Sequence, residues 1–353
     1  MFFTKKRQQQ RKSVFGLDLG SSQIKAVVAS WEGDRSKLLE YAIQKLPATP
    51  DKPLTKSQFA GELHQLLGKL KTPDRYPVVT VNCRSAMVTH ADVPRMPIEE
   101  IRSALQLPPN CVRYLRRELV NYYFDVIKIP EPASDGKAKK QTMKVLVVGA
   151  SRDEIGWYRD ALTEVKLRPE VVELSAVSVV NAFQASYPEV CEKEAVLLLD
   201  IGAASTTINL LRQGLPMMTR IMRFGGTQLS ENVAQVLMLQ PAEAEDEKIK
   251  MSEPVRALIK PALLPLAREV RASIDFFERQ EECHVTKAFA GGGSATAPDI
   301  LQYLSEEVGL KLEQWNPLHR LDLSHFGGET AELTLQSPTL GAAVGAAVAR
   351  LFP

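Results

Sequence analysis

Two carboxylates stand where phosphate chemistry would need them. Asp18 ends the apolar run Val14-Phe15-Gly16-Leu17 and opens Asp18-Leu19-Gly20-Ser21-Ser22, and Asp200 ends Val196-Leu197-Leu198-Leu199 and opens Asp200-Ile201-Gly202-Ala203-Ala204-Ser205. A glycine in such a turn lets successive backbone N–H groups point into one concavity that can hold phosphate oxygens. Ser21, Ser22, Ser205 and Thr206 add hydroxyl donors, and Lys25 on the returning strand adds a point charge. A carboxylate at each strand end can hold Mg²⁺ through water. One Asp-x-Gly tripeptide says little, because hairpins contain many of them. Here Val14 falls on Val196, Asp18 on Asp200 and Gly20 on Gly202 at a constant offset of 182 residues, so each half of the chain opens with the same unit.

The elements that must position these turns are legible in the hydrophobic pattern. Val14–Asp18 and Ile24–Ala29 predict a hairpin, with a third strand over Leu38–Leu46. Phe59, Leu63, Leu66, Leu67 and Leu70 recur at helical spacing within 56–70. Pro77–Val81 predicts a strand. After it the texture turns proline- and charge-rich, with a short helix over Ile98–Leu107, a strand over Tyr122–Ile129 and a polar loop over 131–140. Lys144–Ala150 then reads as a returning buried strand, so 84–142 is expected to be a small α+β domain inserted into a first lobe of 14–83 and 143–193. A second lobe would span 194–353, and 1–13 a basic flexible terminus. Helices are expected at 153–165, 175–185, 228–239, 242–250, 253–280 and 296–308, with a strand at Val285–Ala290 and a closing small-residue helix at 341–351.

Composition excludes several functions. A 353-residue chain with 44% hydrophobic and 24% charged residues has apolar material for more than one core. A formal net charge of +2 gives no argument for nucleic acid. Cys83, Cys111, Cys191 and Cys283 show no C-x-x-C spacing, and the five histidines form no ligand-spaced pair, so neither a zinc site nor a disulfide framework is expected. The start has bases at Lys5, Lys6, Arg7, Arg11 and Lys12 and no apolar stretch behind them, unlike a signal peptide, so a cytoplasmic location is expected. Those bases could also touch anionic lipid.

A third signature, Val285-Thr286-Lys287-Ala288-Phe289-Ala290-Gly291-Gly292-Gly293-Ser294, resembles the adenosine motif of the actin, heat-shock chaperone and sugar kinase superfamily, whose halves each open with a phosphate hairpin. Within it the chain resembles the PilM family of type IV pilus assembly proteins and the related FtsA. The carriers are Gly16–Lys25, Pro94-x-Met96 before Glu99-Glu100-Ile101, Phe224–Leu229, and Ala244-Glu245-x-x-Lys248. The resemblance implies an α/β actin-like, ribonuclease H-like duplicated two-lobe fold. It implies ATP with Mg²⁺ at Asp18 and Asp200, and phosphates held by Ser21, Ser22, Lys25, Gly202 and Ser205. The nucleoside side would be lined by Gly226, Glu245, Lys248, Gly292 and Gly293. It assigns no catalytic residue and at most weak ATPase activity, although Glu173 falls where hydrolytic relatives place a residue that orients water. It further implies a scaffold at the inner face of the inner membrane that binds the cytoplasmic tail of a PilN-like protein, with membrane contact indirect and self-association open. Met96, Ile98 and Ile101 are groove candidates that read equally well as core. Ala203 and Ala204 depart from the pattern by removing hydroxyls from the second turn. An FtsA-like polymerising protein and a small-molecule kinase are the alternatives. The chain shows neither an amphipathic terminal helix nor a general-base aspartate with a substrate lobe.

Overall fold

The computed structural model describes residues 13–32, 35–47, 54–71, 74–130 and 141–350. The basic stretch before Ser13 and the 131–140 loop expected from the sequence lie outside the described residues. The chain divides into two compact units: Asn82–Asp160, and the remainder.

The larger unit opens with strands β1 (Ser13–Leu19), β2 (Gln23–Glu32) and β3 (Arg35–Lys45), then helix α1 (Lys56–Gly68) and strand β4 (Val78–Val81). α1 starts where Thr55 and Gln58 form a reciprocal capping box, satisfying N–H groups the helix itself cannot. The smaller unit holds β5 (Met87–Pro94), α2 (Ile98–Leu105), α3 (Pro108–Leu115), β6 (Tyr122–Lys128), β7 (Thr142–Ser151) and the start of α4 (Arg152–Glu164). The chain then returns through β8 (Val171–Leu174), α5 (Ser175–Ser186) and α6 (Pro188–Lys193). Its second half runs β9 (Ala195–Ile201), β10 (Thr206–Arg212), β11 (Leu215–Met222), α7 (Gly226–Leu237), α8 (Pro241–Lys250), α9 (Glu253–Glu281), β12 (Lys287–Gly291), α10 (Pro298–Val308), β13 (Leu312–Gln314), α11 (Thr330–Gln336) and α12 (Gly341–Val348).

The duplication inferred from two turns extends to whole sheets. One five-stranded sheet has the order β3-β2-β1-β4-β8 and the other β11-β10-β9-β12-β13. In each, three antiparallel strands are followed by two parallel ones. Central strands β1 and β9 are therefore flanked on both sides, which is why they read as near-continuous apolar runs. Each ends in its aspartate turn.

Lys144–Ala150 does not return to the first lobe. It forms most of β7, the central strand of the three-stranded sheet β5-β7-β6 in the smaller unit. Any central strand shows the same buried texture, so pattern alone could not say which sheet owned it. The smaller unit has its own core of Met87, Val93, Ile101, Leu105, Cys111, Leu115, Val126, Val145 and Val147. Ile101 belongs to that core and is not an open groove residue, while Met96 and Ile98 pack against it half-buried.

In the larger unit α5 and α12 cross at very short range. A side-chain carbon on Gly345 would overlap the Ser178 carbonyl, and one on Gly16 of β1 would overlap the Ala343 carbonyl and lie 2.7 Å from the Ala347 nitrogen. The alanines and glycines of α12 let three backbones meet here.

Candidate functional site

The first hairpin places Asp18 opposite Lys25 in the β1–β2 register, on one face of the sheet. Lys25 Nζ donates to Asp18 Oδ2 at 3.0 Å, and both side chains are largely buried. Ser21 and Ser22 are exposed at the tip. A side-chain carbon on Gly20 would lie 2.6 Å from the Gln23 carbonyl oxygen, so the tight turn requires glycine.

The second hairpin has the same register but different side chains. Asp200 faces Thr207 rather than a base. Gly202 N–H donates to the Ser205 carbonyl at 3.0 Å, closing the turn. The turn's carbonyls are then tied to the start of α7: Gly226 N–H donates to Gly202 and Thr227 N–H to Ala203, each at 2.9 Å. These are N–H groups that a helix leaves unsatisfied at its N-terminus. Gly225 makes the docking possible, since a side-chain carbon there would lie 2.5 Å from the Gly202 carbonyl oxygen and closer still to that of Ala203.

The glycine turn after β12 emerges beside this hairpin, because Gly291 pairs with Asp200 across parallel strands. Gly292 has φ +89°, and its N–H donates to the Pro338 carbonyl at 2.8 Å. A side-chain carbon on Gly292 would lie 2.5 Å from the Ile201 carbonyl oxygen and 2.8 Å from Asp200 Oδ1. Gly293 faces open space.

Glu245 and Lys248 do meet, though not as two free groups. Lys248, buried on α8, donates to Glu245 Oε2 at 2.6 Å, to Ser230 Oγ at 2.9 Å and to the Gly226 carbonyl at 3.1 Å. That saturates the three donors of an ammonium. Ser230 Oγ also bonds to Glu245. A side-chain carbon on Gly226 would lie 2.7 Å from Ser294 Oγ and 3.3 Å from Lys248 Nζ. Gly226, Lys248 and the loop after Gly293 are thereby drawn together around one small glycine.

The two halves face each other electrostatically. Burial pushes the Asp200 carboxyl up to about 6, the Lys25 charge pulls it down, and the Asp18 charge pushes it up again. The residues predicted on opposite halves of the sequence therefore share one field. Among the described residues no group of three His, Cys, Asp or Glu side chains forms a ready metal cage, so any metal here would lean on Asp18, Asp200 and non-protein ligands.

Sequence reasoning gave no role to Gly225 or Ser294 within their motifs, and missed Ser230 and a polar row in the first sheet. Asp18, Thr80 and Glu173 lie side by side across β1, β4 and β8. Ser178 at the start of α5 ties the last two, its Oγ 3.0 Å from Thr80 Oγ1 and 2.9 Å from Glu173 Oε2. Glu173 Oε1 is buried without a hydrogen-bond partner among the described residues. Burial lifts this carboxyl to about 7, opposed by the Ser178 hydrogen bond and the Arg350 charge. Thr80 carried no motif signal, being one polar residue in a four-residue strand.

Comparison with known proteins gives the fold its context. The profile of the family described as type IV pilus assembly protein PilM matches residues 16–351. The chain belongs to that family. It is also similar to a chain of the PilM-PilN type IV pilus biogenesis complex, with TM-score 0.83 and 24% identity over 98% of this chain and 100% of that one. The ethanolamine utilization protein EutJ from Carboxydothermus hydrogenoformans matches with TM-score 0.56 and 14% identity, over 96% of this chain and 92% of that one. The fold of this PilM-family chain is actin-like, as the duplicated turns implied. Among the described residues no helix is long and apolar enough to cross a membrane.

Proposed function

We propose that this PilM-family chain is an ATP-binding scaffold of type IV pilus assembly, in which nucleotide draws the two halves of the larger unit together and sets its affinity for the cytoplasmic tail of a PilN-like inner-membrane protein. The observation that carries the nucleotide reading is the convergence of three glycine turns on two carboxylates. The Asp18 charge raises the Asp200 carboxyl, and Gly292 passes close enough to Asp200 Oδ1 to exclude a side chain. The residues present fit Mg²⁺–ATP: Asp18 and Asp200 would hold the metal through waters, and the metal would neutralise phosphate charge. Backbone around Gly20 and Gly202, with Ser21, Ser22, Lys25 and Ser205, would hold phosphates, while Gly226, Glu245, Lys248, Gly292 and Gly293 would border the nucleoside. The PilN reading rests on family membership and on the likeness to a chain of the PilM-PilN complex.

Slow hydrolysis is a second reading, favoured by Glu173. Its unpaired Oε1 and an acidity near neutrality suit a group that accepts a proton from water. The decisive measurement is calorimetric titration of the full chain with ATP, with and without Mg²⁺, followed by binding of a PilN-tail peptide to the apo and ATP-loaded forms. Absence of Mg²⁺-dependent ATP binding would refute the nucleotide reading. Equal peptide affinity in both forms would refute the coupling alone.

A further inference from the structure

The smaller unit carries a surface that neither the nucleotide site nor its own core uses. Leu107, Val112 and Val120 are 58, 47 and 63% exposed on α3 and its flanking turns. Among them stand Arg113, Arg116 and Arg117, all exposed, while Glu118 is the only acid between Leu107 and Phe124. Among the described residues none of these three arginines enters an ion pair, in contrast to Arg102, whose guanidinium is held on Asp125. Two of them lie on aromatic rings instead. The Arg113 guanidinium sits 5.4 Å from the Tyr114 ring centre, and that of Arg117 sits 5.7 Å from the Tyr122 ring, also donating to the Tyr122 hydroxyl at 3.2 Å.

The backbone builds this arrangement. Cys111 and Leu115 bury the inner face of α3, which leaves Val112 and Arg113 on the outer one. Arg116 ends the helix in the left-handed region at φ 53°, its N–H on the Val112 carbonyl, and the chain then turns so that Arg117 reaches Tyr122. A left-handed, non-glycine helix end is an uncommon conformation. Three exposed arginines and three exposed aliphatic side chains thus fall within the fourteen residues 107–120, with Glu118 the one acid among them.

We propose that this face is a peripheral docking surface for an anionic lipid bilayer. The charge is complementary to phosphate headgroups. Aliphatic side chains beside arginines and half-buried tyrosines suit the headgroup boundary, where amphipathic rings and short apolar groups settle together. Contact through so few apolar groups is weak and reversible. The proposal does not depend on nucleotide binding or on a PilN-like tail.

The test is co-sedimentation of the full chain with phosphatidylcholine vesicles, with and without a phosphatidylglycerol fraction, at low and high salt. Binding is expected with the anionic vesicles only and is expected to weaken with salt. The Arg113→Gln, Arg116→Gln, Arg117→Gln variant should partition about a hundredfold less, from the roughly tenfold or smaller contribution expected of each base near an anionic surface. Because these side chains are exposed, its melting temperature should match the parent's. The Val112→Ser, Val120→Ser pair should weaken binding with the charges intact. Replacing Lys5, Lys6, Arg7, Arg11 and Lys12 by glutamine should leave most of the binding. No preference for anionic vesicles, parental binding by both patch variants, or loss of binding only in the N-terminal variant would each overturn the proposal. So would capture of an acidic peptide by this face without any vesicle binding.

Discussion

The β1–β2 and β9–β10 hairpins share register, turn length and place in their sheets, yet their carboxylates live in opposite circumstances. Asp18 has its counter-charge built in, with Lys25 directly across the ladder at 3.0 Å. Asp200 faces Thr207, and burial holds its carboxyl up near 6. The turns differ in the complementary way. The first ends in exposed serines, whereas the second has alanines and is braced from behind by the N-terminus of α7. A duplicated backbone has thus diverged into one half with a cation directly across the ladder and one whose turn is braced and whose carboxylate has no base opposite it. Such a site is electrostatically incomplete by itself, which is the physical reason to expect Mg²⁺ dependence.

The comparison can be broken most directly by removing both acids. An Asp18→Ala, Asp200→Ala double variant is expected to lose at least about a hundredfold in Mg²⁺-dependent ATP affinity, about 3 kcal/mol, in calorimetric titration. Retained affinity would show that the convergence of the hairpins has no metal role. Next, Lys25→Met should destabilise the apo protein by about 3 kcal/mol in chemical denaturation, because it leaves a buried carboxylate without its partner. An unchanged midpoint would mean that Asp18 does not depend on that lysine.

Asp200→Asn should act in the reverse direction. The folded state raises this carboxyl from its ordinary value of 3.8 to about 6, so folding favours the protonated acid. The native protein therefore loses stability as pH climbs from about 4 to about 6, by an amount on the order of 3 kcal/mol at most. The amide has no such loss. Its apo melting temperature should exceed the parent's at pH 7 and equal it near pH 4, and a gain of the same size at both would refute the assignment. The smallest effect is expected at Ser178→Ala, about 1–2 kcal/mol from a hydroxyl that bonds both Thr80 and Glu173. Removing the bond that lowers Glu173 should also move the titration of this carboxyl upward, observable by carboxyl-selective NMR.

Much of this was legible beforehand because it is written locally. A buried strand ending in Asp-x-Gly is visible in a handful of residues, and its repetition at a fixed offset exposed the duplicated fold. Gly292 could be recognised from the triple glycine. The bracing of the second turn could not, because Gly225 looks like any loop glycine until the carbonyls of Gly202 and Ala203 stand next to it. The roles of Ser230 and Ser294 were hidden for the same reason: Lys248 reaches Ser230 from another helix, and Ser294 Oγ closes on Gly226 from a distant loop. Glu173 was noticed only by resemblance, while its place in a row with Thr80 and Asp18 emerges from parallel register between strands far apart in sequence. The misplacement of β7 has a simpler origin, since apolar runs report burial and not the sheet that provides it.

The crossing of α5 and α12 bears on how the larger unit can move. Where Gly345 meets the Ser178 backbone there is no room for a methyl group, and a joint without slack can swivel but cannot slide. Nucleotide-driven closure would then be a rotation about that point, with travel growing in proportion to distance from it. Spin labels placed progressively farther from Gly345 on the two sheets should report displacements that scale with that lever arm, and a uniform displacement would mean that the helices glide.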